Sequence, residues 1–122
     1  MEIGQRAVGA MTVLDLSGKL VLNEGLRDAL LKDTISGLML QGRRQFMVSL
    51  AHVTQVDTSG LAMLVAAQIT VVKRGGHVKF LNPTKRFREL LAITKLNTFL
   101  EVFDTERAAI ESFAREPGIT LT

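Results

Sequence analysis

A chain of 122 residues, 47% apolar and 22% charged, is long enough to bury one core without staples, and one domain is expected over residues 1–122. It has no cysteine, which excludes disulfide scaffolds, thiolate metal sites, redox dithiols and thiol nucleophiles and leaves hydroxyl, carboxylate, amine and imidazole chemistry. A formal charge of +3 suits an anionic partner, but with no tryptophan or tyrosine to stack on bases no direct nucleic-acid binding is expected.

In chain order, Ile3 to Val8 and Met11 to Leu16 read as the strands of a hairpin about Gly9 and Ala10, and Ser17-Gly18-Lys19 reads as a turn. From Asn23 to Gln41 the apolar positions Leu26, Leu30, Leu31, Ile35 and Leu38 recur at spacings of three and four. That predicts an amphipathic helix, with Asn23 as its N-cap and Gly42 as its stop. QFMVSLAHV (Gln45 to Val53) predicts a buried strand. Ser59 to Arg74 predicts a helix closed by Gly75 and Gly76, and HVKFLN (His77 to Asn82) the next strand.

Asn82-Pro83 predicts a helix opening with proline at the first helical position and a core face of Phe87, Leu90, Leu91 and Thr94. FLEVF (Phe99 to Phe103) predicts a last strand, and Asp104 the cap of a final helix that ends before Pro117 and Gly118. The order is β-β-α-β-α-β-α-β-α. Such short crossovers demand parallel pairing, so the expected fold class is α/β, a mixed but mainly parallel sheet packed against helices.

The longest apolar run, Leu61 to Ala67, is too short to cross a bilayer, and the N-terminus has no run of signal-peptide length. A cytoplasmic protein without membrane insertion is expected. The cations Lys73, Arg74, Lys79, Lys85, Arg86, Arg88 and Lys95 read as a solvated face.

Neither histidine, His52 or His77, stands at metal-ligand spacing, so no metal is assigned. The paired glycines of RGGH follow a helix and precede a strand, the reverse of a phosphate-cradling loop. Ser59, Asp57 and either histidine could be drawn as a triad, but spacing lends it no support. No catalytic residue and no cofactor are expected.

Asp57, Thr58 and Ser59 interrupt a β-branched stretch just before the most apolar part of the chain. A helix start explains them, because their side chains accept from the free amides of a first turn and Gly60 permits a tight entry. Yet Leu61 to Ala67 is apolar all round, which predicts either burial on both sides or a surface kept for a partner.

With DLSGKL before it and KRGGHVKFLNPTKRFRELLAITKL after it, VTQVDTSGLAMLV resembles the STAS domain, particularly the bacterial anti-sigma-factor antagonists. The resemblance implies that Thr58 is a phosphate acceptor, supported by Asp57, Ser59 and Gly60, with Gly18, Lys19, Leu20 and Leu61 among the partner contacts. It implies as partners an anti-sigma factor that is also a serine kinase of histidine-kinase-like ATPase fold, and a metal-dependent Ser/Thr phosphatase. Where many regulated antagonists read GELD, this chain has Gly18-Lys19-Leu20-Val21, and its acceptor is threonine. VDTSGLAML is also similar to the STAS subunits of bacterial phospholipid-transport ABC complexes, which dock on an ATPase subunit; that alternative stays open.

Overall fold

A two-residue turn at Gly9 and Ala10 sets the first hairpin. In a computed structural model describing residues 1–21 and 28–115, β1 (Glu2–Val8) pairs antiparallel with β2 (Met11–Leu20), the Val8 and Met11 pair closing the turn. The helix α1 (Asp28–Leu40) leads to β3 (Gln45–Val56). Then come α2 (Thr58–Lys73), β4 (His77–Leu81), α3 (Lys85–Thr94), a short 3-10 turn (Leu96–Thr98), β5 (Val102–Phe103) and α4 (Glu106–Ala114). The five strands lie in chain order in one sheet, and every pair after the hairpin is parallel, as the crossovers require.

The period of two divides the strand side chains between two cores. Leu14 and Leu16 of β2, Phe46 and Val48 of β3 and Val78 and Phe80 of β4 face the larger one, closed by Leu31 and Ile35 of α1, Leu64 and Val71 of α2 and Phe87 and Leu91 of α3. Met11, Val13, Met47 and Leu81 face the smaller one under Ala109 and Phe113 of α4. Of the apolar stripe expected for α1, Leu31 and Ile35 are buried, Leu38 is half-buried and Leu30 is exposed. Asn23 and Leu26 lie outside the described residues, as do Pro117 and Gly118.

Several expected boundaries move: β3 runs on past Val53 to Val56, the strand expected over Phe99 to Phe103 shrinks to Val102–Phe103, and three others shift for reasons the structure shows. Ser17-Gly18-Lys19 is not a turn: β2 runs through it, because β3 pairs along its other side and absorbs the irregularity in two register shifts, Asp15/Ser17 and Gly18/Lys19. Gly18 sits there at φ +91, a left-handed backbone that glycine adopts without penalty. The cap of α3 is Thr84, whose hydroxyl accepts from the Phe87 amide at 3.1 Å, so Pro83 precedes the cap instead of opening the helix. Likewise Thr105 caps α4 by accepting from the Ala108 amide at 3.1 Å, which frees Asp104 to pair with Arg88.

The expected basic face also shrinks. Lys79 is 1% exposed in the smaller core, and Arg86 and Arg88 are matched by Glu89 and Asp104. Gly75 and Gly76 close α2 as expected, the Gly76 amide donating to the Val71 carbonyl at 2.9 Å.

Candidate functional site

The β2–β3 ladder runs directly into the start of α2. The Asp57 amide donates to the Leu20 carbonyl at 3.2 Å, one rung beyond the Leu20 and Val56 pair. Asp57 itself is extended (φ −121, ψ −174), so its side chain folds back as the N-cap and Oδ1 accepts from the Gly60 amide at 3.0 Å. The Asp57 carbonyl takes the Leu61 amide at 3.0 Å as the first intrahelical bond.

Gly60 is where the helix rests on the end of β2. A Cβ there would stand 2.0 Å from the Leu20 carbonyl oxygen and 2.8 Å from the Leu20 Cβ. Only glycine lets the two backbones approach so closely.

With Gly60 and Leu61 serving as anchors, Thr58 is the exposed residue of the first turn and Ser59 is half-buried. The Thr58 hydroxyl has no hydrogen-bond partner among the described residues. As first and second residues of α2, Thr58 and Ser59 hold amides with no intrahelical acceptor, at the end where the helix dipole is positive. An anionic group on Thr58 is therefore compatible with its own helix, although the Asp57 carboxylate is its neighbour.

The structure gathers Asp57, Thr58, Ser59 and Gly60 at one point and sets Gly18 and Lys19 on the adjoining end of β2, Gly18 half-buried and Lys19 exposed. Leu20 and Leu61 need correction as partner contacts. They are 0% and 2% exposed and spend their side chains on the larger core. The sequence allowed Leu61 to Ala67 a surface for a partner without choosing its side; the apolar residues exposed along one side of α2 below Thr58 are Ala62, Ala66 and Ile69. Their steps of four, four and three from Thr58 are the helical signal, hidden because Leu61 to Ala67 is apolar on both sides.

Replacing Asp57 by alanine removes the cap and is expected to lower stability by about 1 kcal/mol. Urea denaturation should show the midpoint fall with unchanged slope, and Asp57→Asn should restore most of it.

Among the described residues no group of three or more His, Asp or Glu side chains could hold a metal, and no helix is long and apolar enough to cross a membrane.

Comparison with known proteins agrees with this geometry. A family model described as "Mlab, STAS domain" matches residues 3–102. A Thermotoga neapolitana protein, assigned as an anti-sigma factor antagonist homologous to TM1081, is 27% identical over 71 residues. That match spans 58% of this chain and 63% of the relative, less than two thirds of its length.

The crystal structure of TM1081 from Thermotoga maritima superposes with a TM-score of 0.77 at 18% identity, covering 93% of this chain and 95% of that one. The anti-sigma factor antagonist SpoIIAA in its unphosphorylated form gives a TM-score of 0.72 at 20% identity, covering 98% and 99% of the two chains. The phosphorylated form of this Bacillus cell fate determinant gives a TM-score of 0.66 at 19% identity, over 91% and 98%. At these identities the superpositions establish the fold.

Proposed function

The chain belongs to the STAS domain family, and from that premise we propose that it is a phosphorylation-gated binding module of the anti-sigma-factor antagonist type. In this reading the unmodified domain binds an anti-sigma factor that is also a serine kinase of histidine-kinase-like ATPase fold, and so releases a sigma factor. A metal-dependent Ser/Thr phosphatase resets it. The domain itself is not an enzyme: it supplies a hydroxyl and a surface, and its partners supply the chemistry.

The observation that carries this reading is the exposed Thr58 hydroxyl on the first turn of α2, beside the capping Asp57 and above the apolar side formed by Ala62, Ala66 and Ile69. Phosphorylation there adds about −1.5 to −2 charges at neutral pH. Within the domain that charge meets the positive helix end and two amides without intrahelical acceptors. Across an interface it is a bulky, hydrated group next to a carboxylate, and burying it against a partner is costly. The partner is released because the surface changes, with no change of fold required.

A second reading is favoured by one observation, the Mlab description of the matching family model. In it the domain is a STAS subunit of a phospholipid-transport ABC complex, and the same Thr58 surface docks on an ATPase subunit without being modified.

The test is a pull-down of tagged wild type, Thr58→Ala and Thr58→Glu from the native host, with intact-mass analysis of each recovered domain. Under the switch reading, wild type carries an adduct of about 80 Da that Thr58→Ala lacks, and Thr58→Glu loses a kinase of ATPase fold. Recovery of the same transport ATPase by all three, with no adduct, replaces the switch with the transporter subunit.

A further inference from the structure

At the far end of α2, roughly 24 Å from Thr58 for a helix of 16 residues, α1 and α2 both finish and the chain enters β3 and β4. Between these helix ends lies an open cavity of about 460 Å³, lined by Ser36, Met39, Leu40, Arg44 and Arg74. Its walls are firmly based. The Arg44 carbonyl accepts from the His77 amide at 2.9 Å, and Gly76 packs so closely that a Cβ would come within 2.6 Å of the Arg44 oxygen and 3.2 Å of the Met39 Cε.

The two guanidiniums differ from others on this surface. Arg6 grips Asp15 and Glu106 at 2.7 and 2.6 Å, and Arg88 and Arg107 hold Asp104 and Glu111. Arg44 donates only to the Arg74 carbonyl at 3.2 Å, and the Arg74 guanidinium has no hydrogen bond or ion pair among the described residues. Beside them Leu40, the last residue of α1, is 87% exposed. A pair of arginines with no carboxylate partner among the described residues, set around a cavity beside a protruding leucine, is the arrangement of an interface anchor, since planar forked donors match carboxylates and the leucine supplies contact area.

Which anion fits follows from the helix ends. Both helices present carbonyl oxygens here, so a compact, multiply charged anion seated deep in the cavity would face them unfavourably. Carboxylates approaching from outside meet the guanidiniums instead. A bilayer surface, being flat, would reach Leu40 but not the cavity beside it. We propose that this end of the domain is a second docking site, separate from Thr58, for an acidic segment of a partner protein that sets its carboxylates on Arg44 and Arg74 and an apolar side chain against Leu40.

The test titrates the isotope-labelled full chain with a short helical peptide of glutamate and leucine, following amide shifts by NMR. Parallel titrations use the same peptide with lysine for glutamate, inorganic phosphate, and phosphatidylglycerol vesicles. Saturable shifts confined to residues 36–44 and 72–77, at least ~10-fold weaker for the Arg44→Gln/Arg74→Gln double variant and for Leu40→Ser, are the expected result. If the arginines serve only to offset the helix ends, the double variant loses stability while wild type shows no saturable shifts, and the proposal fails. It fails equally if the lysine peptide binds as well, if phosphate alone reproduces the shifts, or if vesicles bind and the acidic peptide does not. Should the double variant not fold, Leu40→Ser, at an exposed position, decides the question alone.

Discussion

Gly60→Ala is expected to cost the fold about 3 kcal/mol or more, a large part of the 5–15 kcal/mol that holds a domain of this kind together. The new Cβ would meet the Leu20 carbonyl oxygen at 2.0 Å, and that oxygen cannot yield, because it accepts the Asp57 amide that ties α2 to the sheet. Either the first turn of α2 lifts off the end of β2 or the last rung of the ladder breaks. Gly37→Ala is the control. That glycine lies inside α1 with nothing within 4 Å of the added atom, and alanine there should raise stability by up to about 1 kcal/mol. Urea denaturation of both variants should move the midpoints in opposite directions. A Gly60→Ala protein as stable as wild type would mean that α2 does not rest on β2 as described.

Lys79→Ala should be nearly as damaging, by about 3 kcal/mol, whereas Lys79→Met should stay within about 1.5 kcal/mol of wild type. The lysine is 1% exposed. Its Nζ donates to Glu101 Oε2 at 2.9 Å and Ser112 Oγ at 2.6 Å, and stands 4.7 Å from the Phe113 ring centre and 5.5 Å from that of Phe103. The ammonium is satisfied, but the carboxylate it meets is half exposed, so the ion pair contributes little net stability. What alanine removes is chiefly the aliphatic stem that fills the smaller core under α4, and methionine puts that volume back. Thermal unfolding of the two variants separates the contributions: a methionine variant as unstable as the alanine one would assign the effect to the charge.

The alternation of strands and helices, and with it the α/β class, was legible because α1 and α3 carried a helical period and the boundaries of the others a glycine or small polar residue. The start of α2 was legible to within one residue, Ser59 expected and Thr58 found, since Asp57 has few structural uses between a β-branched stretch and an apolar helix. Legibility failed where two residues could do one job. Asn82 and Thr84, or Asp104 and Thr105, are equally good caps by identity, and only backbone direction chooses between them.

It failed again where a partner strand overrode local preference. Ser17-Gly18-Lys19 has the composition of a turn, yet pairing with β3 keeps it in the sheet. Lys79 was assigned to the surface because charge usually is, and no local pattern announces the glutamate, serine and phenylalanines that α4 and β5 bring to it. Around Thr58 the four residues of the turn were found, but not the surface beside them. Which side of an apolar helix is buried depends on where the sheet lies, and that is a property of the whole chain.

The two irregularities in β3 bear on how this domain can change over generations. From Met11 to Leu20 the strand β2 uses 10 residues, and β3 spends 12 from Gln45 to Val56 to travel beside it. Each extra residue reverses the parity of the strand, so that Leu50, Val53 and Val56 all reach the same core although their numbers do not keep an even step. Deleting one of the extra residues, Thr54 for example, would leave Val53 and Val56 two apart, the even step of a regular strand, with Gly18 and Leu20 still opposite them. Loops normally absorb gained or lost residues. Here part of a strand can do the same: a residue lost at either irregularity leaves the valines on the core, whereas one lost between Phe46 and Ser49, where the pairing is one-to-one, would turn the rest of the strand over.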